Sequence, residues 1–392
     1  MTRYLNPAQT LTPQGLTTRC TVVIDGTHIA YVGDAQAIPG DLEAKSRSEF
    51  DASGLTLIPG LIDLQFNGAF GVHISDEPDR LWEAGAGLPR FGVTRFLPTL
   101  ISSAPSQTDR AIEVLHHGPP AGDRGAKPLG LHFEGPFLEP QKIGAHDVSL
   151  CSAPDIELIK GWSREAGVRL VTLAPEIPGA EDLILALCER GVLVSAGHSL
   201  ASYDQAHCAF DLGVRYVTHL FNAMPPLHHR DPGLALAALD RDEITVGVIP
   251  DGIHVHPDLI RMVWNCKGAK RMSFVTDAMS AMGMPPGRYP MGRFNILVDE
   301  ESARQEDGTL AGSVLTLDAA LRNAQRFCRV SLAEAIAPFT SVPASLLGHD
   351  GGEISAGKRA DLVLLDDAGE VVATFVDGEL VYDRSSYENE RS

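Results

Sequence analysis

Glu134, His198, His219 and Asp277 are the residues whose types and spacing carry the clearest chemistry in this sequence. His198 follows the apolar run 192–196, and His219 follows a second apolar, β-branched run at 214–218, 21 residues further on. Between them, 199–211 carries apolar residues at helical spacing, with Ser199 expected to cap its start. A strand, a helix and a strand in that length make the two strands parallel, so their carboxyl ends share a rim. One histidine there is ordinary solvation. Two, joined by Glu134 at the end of another apolar run, form a two-histidine, one-carboxylate set. That set leaves a fourth position open to water, as in catalytic zinc sites. Iron or another divalent ion would suit the same donors. Such an ion polarises a carbonyl and lowers the pKa of water. Asp277, at the end of a later run, is placed to move the proton from that water to a leaving amine. His132 shares the inward face with Glu134 by period two and is expected to fill a core layer.

These side chains need a scaffold that brings strand ends together. Apolar runs fall at 58–67, 93–99, 129–134, 168–176, 192–198, 214–219, 244–251 and 272–277, with helical patterns such as 181–190 between them. Eight strand–helix repeats predict a TIM-type (β/α)8 barrel. A doubly wound sheet would need a glycine-rich first turn, and Gly-x-Gly-x-x-Gly is missing after the first run. Each run ends on a polar group: Gln65 and Asn67, Thr99, Glu134, Glu176, His198, His219, Asp251 and Asp277. Packing does not require this, whereas the C-terminal face of a barrel is where catalytic groups sit. Both chain ends carry short strands with turn signals, including a hairpin around Gly26-Thr27-His28. Residues 1–58 and 355–392 are therefore expected to form one small β-sandwich domain, and 59–354 the catalytic barrel.

The chain has 392 residues, a net charge of −19 and a pI near 5.1. That field opposes nucleic acid and anionic membranes as partners. An anionic substrate would need a local basic patch. No 18-residue apolar run occurs, and the first ten residues lack a signal pattern. Six scattered cysteines without Cys-x-x-Cys read as thiols of a reducing cytoplasm. A serine hydrolase is disfavoured because no Gly-x-Ser-x-Gly elbow occurs. The near P-loop at 352–359 has Arg359 where Ser or Thr is required and precedes a strand, so it reads as a turn. The proline- and glycine-bearing loop 222–233 places Asn222 and Arg230 above the metal rim, and His254 follows the seventh run. Arg230 with His254 could bind a phosphate, or Arg230 could pair with Asp231.

The stretches PGLIDLQFNG (59–68), GLHFEGPF (130–137), VTLAPE (171–176), VSAGHS (194–199), THLFNAMPP (218–226), RDPG (230–233), DGIHV (251–255), VTDAM (275–279), GTLAGS (308–313) and AGKRADLV (356–363) occur in an order that resembles the N-acetylglucosamine-6-phosphate deacetylases of the amidohydrolase superfamily. The resemblance implies hydrolysis of N-acetylglucosamine 6-phosphate to glucosamine 6-phosphate and acetate. The alternatives are a related sugar, such as N-acetylgalactosamine 6-phosphate, or a non-catalytic scaffold. It implies one divalent ion per subunit, zinc first and iron, cobalt or manganese next, held by Glu134, His198 and His219. Asp277 would be the acid/base. His146 would meet the substrate carbonyl, and Asn222, Ala223, Leu310, Ala311 and Gly312 would contact the substrate. Arg230 would bind the phosphate. His254 would reach the neighbouring site of a homodimer. Where many amidohydrolases have His-x-His and two metals, this chain has Gln65 and Asn67, both weak ligands, so the second metal position is expected to be empty.

Overall fold

The computed structural model describes residues 2–391. Eight parallel strands curve into a barrel: β1 (Leu61–Phe66), β2 (Val93–Ile101), β3 (Leu131–Glu134), β4 (Val168–Leu173), β5 (Leu193–Ala196), β6 (Tyr216–Val217), β7 (Thr245–Val248) and β8 (Met272–Phe274). Each pairs with the next in chain order. β8 comes back to β1 through a parallel bridge between Phe66 and Ala278 and through bonds from Asp277 N to Gln65 O and from Asn67 N to Ala278 O, each 2.9 Å. The barrel is thus nearly closed.

Several strands stop short of the expected ends. The ladder needs negative φ, and the chain leaves it at His198 (φ 50°), His219 (φ 31°) and Asp277 (φ 50°). These residues follow their strands and turn inward. The helix after β5 also starts later than expected. It is Tyr203–Leu212, and its cap is Ser202, in a reciprocal capping box with Gln205. Ser199 instead donates to Glu176 at 2.8 Å, and Leu200 N donates to the same carboxylate at 2.5 Å. Glu176 therefore ties the strand-four loop to the strand-five loop and does not face the metal rim.

Leu61, Phe96, Phe133, Val171, Val194 and Val246 form part of the apolar layer between strands and helices, all fully or almost fully buried. Ile62, Leu64, Leu97, Leu170 and Tyr216 fill a separate inner cluster, joined by Ala344 and Leu347 of the helix Ser341–Leu347. Burying both faces of each strand is what makes these runs almost continuously apolar.

The chain ends build two further sheets. One has four strands, ordered His28–Gly33, Thr21–Asp25, Thr2–Leu5, Arg47–Phe50. The hairpin about Gly26 forms as expected, with Asp25 opposite His28. The other has six strands, ordered Glu379–Asp383, Val371–Val376, Leu362–Leu365, Thr56–Pro59, Gln9–Thr12, Gly15–Thr18. Leu5, Val22, Ile24, Leu57, Leu362 and Phe375 meet in one buried cluster between them. The 352–359 segment is a loop whose Lys358 carbonyl accepts from Ile29 N at 2.8 Å. A three-stranded sheet, Gly287–Met291, Phe294–Val298 and Ala303–Arg304, is inserted after β8 and was not among the expected elements.

Candidate active site

The strand ends bearing Asn67, Glu134, His198, His219 and Asp277 converge on one pocket, whereas Glu176 lies outside it. Glu134 closes β3, two residues after inward-facing His132. Its Oε1 lies 2.9 Å from His219 Nε2 and 3.1 Å from His198 Nε2, and the two Nε2 atoms are 3.0 Å apart. All three residues are buried, between 2% and 4% exposed. Tetrahedral donors about 2.0–2.1 Å from a zinc ion are about 3.3 Å from one another, so this triangle is close to a ligand set. The chemistry of the donors agrees. His198 Nδ1 lies 2.8 Å from the Lys142 carbonyl, which can only accept. The proton therefore sits on Nδ1, and the Nε2 lone pair faces the cluster. Among the described residues, this is the group of His, Cys, Asp and Glu side chains able to hold a metal ion.

Asp277 faces the same cluster from the other side of the seam. Its Oδ1 accepts from Asn67 Nδ2 at 2.7 Å and Gln65 Nε2 at 3.1 Å, and Gln65 Nε2 also lies 3.1 Å from Glu134 Oε1. The carboxylates only accept, so both amides must present their NH2 groups. Burial and the nearby Glu134 charge raise the Asp277 carboxyl to about 6. Burial also pushes Glu134 upward, but the imidazoles of His198 and His219 beside it outweigh that and hold the carboxylate well below its usual range.

His146 is buried beside them. Ser102 N donates to its Nδ1 at 3.1 Å. A backbone N–H can only donate, so Nδ1 is the acceptor and Nε2 carries the proton. That N–H faces the cluster, 3.9 Å from Glu134 Oε2. Burial and then His198 lower the ring to about 3, so it is a neutral donor.

One pocket of about 210 Å³ contains Glu134, His146, His198, His219 and Asp277 together with Asn67, Asn222, Ala223, His254, Leu310 and Gly312. His254 lines the pocket of its own chain. Asp251 holds it there, accepting from His254 N at 2.8 Å and lying 2.5 Å from Nδ1. The resemblance implied that His254 reaches a neighbouring site; within the single chain it stands in the wall of its own pocket. Arg230 is exposed and outside the pocket wall, and among the described residues no carboxylate forms an ion pair with it. The alternative of an Arg230–Asp231 ion pair is not formed. Ala311 is fully buried in the apolar cluster with Met291 and Ile296, beside the pocket.

A sequence profile of the amidohydrolase family matches residues 56–381. The chain belongs to the amidohydrolase family. It is similar to an N-acetylglucosamine-6-phosphate deacetylase from Lysinibacillus sphaericus, 36% identical over 339 residues that cover 86% of this chain and 88% of that one. It is also similar to the solved structure of N-acetylglucosamine-6-phosphate deacetylase from Pasteurella multocida, at 30% identity and a TM-score of 0.88, covering 97% of this chain and 99% of that one. The enzyme of the same name from Mycobacterium smegmatis, solved as a mutant with N-acetyl-D-glucosamine-6-phosphate, gives 33% identity and a TM-score of 0.87 over 97% and 99%.

In this amidohydrolase, sequence reasoning passed over part of the pocket wall. His73, Ile101, Met279, Met291 and Thr309 also line it. Met291 arrives on the inserted sheet, whose turn at 291–294 carries Gly292 (φ 53°) between two alternating runs. Those turn and alternation signals were available in the sequence. His73 had no such signal: it sits on a two-residue strand, Val72–His73. No helix is long and apolar enough to cross a membrane among the described residues. All six cysteines are free thiols.

Proposed function

We propose that this amidohydrolase removes the acetyl group from N-acetylglucosamine 6-phosphate, giving glucosamine 6-phosphate and acetate. The observation that carries the reading is the joint placement of the Glu134–His198–His219 triangle, the Asp277 carboxyl and the His146 N–H in one pocket. The names of the similar enzymes supply the sugar.

Glu134, His198 and His219 would hold one divalent ion, zinc being the best match to two imidazoles and a carboxylate. When bound, such an ion supplies Lewis-acid polarisation of the amide carbonyl and lowers the pKa of water. The chain's own groups do the rest. His146 Nε2–H donates to the carbonyl oxygen and stabilises the charge that grows there. Asp277 takes a proton from the attacking water and delivers it to the amine nitrogen as the C–N bond breaks. Asn67 and Gln65 aim that carboxylate. Asn222, Ala223, Leu310 and Gly312 form the sugar wall.

The pocket wall contains no Lys or Arg among the described residues, and of its histidines His254, named by the resemblance, is the group that would meet the phosphate from within the chain. Arg230 would reach it from outside. In a homodimer, an exposed Arg230 could serve the neighbour's pocket. The sheets at the chain ends, 1–58 with 355–392, would form a small domain of their own beside the barrel at 59–354, a reading supported by their shared buried cluster. A cytoplasmic, reducing location fits the six thiols.

The test is an amine-release assay on a panel of N-acetylated amino sugars with and without 6-phosphate. Fastest turnover of N-acetylglucosamine 6-phosphate supports the proposal. Preference for the galactosamine epimer would move the substrate, and no amine release from any of them in metal-loaded protein would overturn it.

A further inference from the structure

Asp277 is a non-glycine residue with φ 50°, a backbone region that is costly for a side-chain-bearing residue and persists only where its surroundings over-determine it. Here they do. Asp277 N donates to Gln65 O at 2.9 Å, and its carbonyl accepts from Ser313 N at 2.8 Å. On the preceding residue, the Thr276 carbonyl accepts from Ser313 Oγ at 2.5 Å. On the following residue, Ala278 N donates to Thr276 Oγ1 at 3.1 Å, and Ala278 O accepts from Asn67 N at 2.9 Å. The Thr276 hydroxyl thus caps the turn that carries Asp277. A hydroxyl has one proton, and it goes to Asp63 Oδ2 at 2.6 Å. Asp63 Oδ1 accepts from Gln65 N at 3.2 Å and Thr276 N at 3.3 Å. Asp63 is 1% exposed, and among the described residues no cation pairs with it. An unpaired buried carboxylate is expensive, so its retention needs a reason.

We propose that Asp63, acting through the Thr276 hydroxyl, is the positioning residue that keeps the Asp277 turn left-handed and its carboxylate directed at Asn67 and the Glu134 cluster. Asp63 touches no reacting atom. It lies on β1 and Thr276 just beyond β8, at the seam where regular strand pairing lapses. Single backbone bonds from Asp277 N to Gln65 O and from Ser313 N to Asp277 O stand there in place of a continuous ladder, and the side-chain clasp supplements them. Asp63 and Thr276 belong to no pocket wall that the substrate would meet.

This inference rests on Asp277 being the acid/base, so the two are tested apart. Thr276→Val keeps shape but leaves Ala278 N and Asp63 Oδ2 without a partner. It is expected to lower kcat about ten- to a hundredfold, with KM and bound zinc, measured by elemental analysis, changed less than about twofold. Thr276→Ser, which keeps the hydroxyl, is expected to restore kcat to within about threefold. Asp63→Asn is expected to lower kcat as well, and to add little to Thr276→Val because both act through one bond. Should Thr276→Val fail to fold, Asp63→Asn against Thr276→Ser decides. Normal kcat in Thr276→Val or Asp63→Asn, with only the melting temperature lowered, would overturn the positioning role. An active Asp277→Asn would instead overturn the assignment of the acid/base.

Discussion

Gln65 Nε2 lies 3.1 Å from Asp277 Oδ1, and the same nitrogen lies 3.1 Å from Glu134 Oε1. One neutral amide thereby bridges the carboxylate that would hold the metal and the carboxylate that would move the proton. A histidine at this position would present a lone pair and invite a second ion. An amide presenting its NH2 occupies both carboxylates and repels a cation.

About one tightly bound divalent ion per chain is therefore expected. Glu134→Ala should abolish both metal retention and turnover. Elemental analysis that returned two ions per fully active chain would refute the amide argument.

Asp277→Asn keeps the size and removes the base, so kcat should fall about a hundredfold or more while the ion stays bound. The ordinary protein should show the pH signature of that base. The Asp277 carboxyl is raised to about 6, so it is ionised and competent above that pH and protonated below it. kcat/KM is expected to drop as pH falls through about 6. A profile flat down to pH 4 would assign the proton transfer to another group.

Arg230→Ala should lose about ten- to a hundredfold in kcat/KM on the 6-phosphate sugar, the worth of a charge-assisted bond of about 1.5–3 kcal/mol, and little on the unphosphorylated sugar. His254→Ala should show the same selectivity. If Arg230 serves a neighbour, mixed dimers of Asp277→Asn and Arg230→Ala chains recover activity. Mixed dimers of Asp277→Asn and His254→Ala chains recover none, because both residues line one chain's pocket. The reverse pattern would restore His254 as the crossing residue.

Gly312→Ala tests how tightly the turn is packed. Gly312 has φ 67°, and a Cβ there would meet the Asp277 carbonyl oxygen at 2.8 Å. A contact that short against backbone cannot be relieved by a side-chain rotation, so Asp277 itself must shift. A kcat at least about tenfold lower is expected, and an unchanged kcat would show that the turn yields at no catalytic cost.

Arg95 on β2 ties the barrel to the sheet from the chain ends. Its Nε lies 2.7 Å from Asp361 Oδ2 and its Nη2 lies 2.6 Å from Asp377 Oδ1, with Asp361 only 3% exposed. Arg95→Met leaves two carboxylates without that cation and should cost about 3–5 kcal/mol in chemical denaturation. Burial pushes Asp361 up, but His349 and Arg95 outweigh it and hold the group at about 2. A depressed carboxyl stabilises the fold above its ordinary value near 3.8, and that contribution is lost as pH falls toward 2. Equal acid stability of the two proteins would remove the ion pair from that role.

Much of the barrel was legible because each strand is a short apolar run bounded by turn residues, and the run need not know its neighbours. Helix starts were less legible. Ser199 and Ser202 are both capping types in one stretch, and the choice fell to Ser202 because half-buried Glu176 claims the Ser199 hydroxyl and Leu200 N. That carboxylate is 23 residues away from Ser199, outside any local signal.

The sequence by itself determined which residues bear chemistry, since two histidines and a carboxylate at the ends of parallel runs can meet only on one rim. Residue type and spacing are local properties, and a barrel converts them into a shared face. Tertiary structure alone decided the rest. It put positive φ at His198, His219 and Asp277, kept His254 in its own pocket, left Arg230 outside it and turned Ala311 into the apolar cluster. It also linked Asp63 to Thr276 across 213 residues. These outcomes depend on which distant group reaches a given atom first, and hydrogen bonding across a closed barrel seam settles that only when all eight strands are in place.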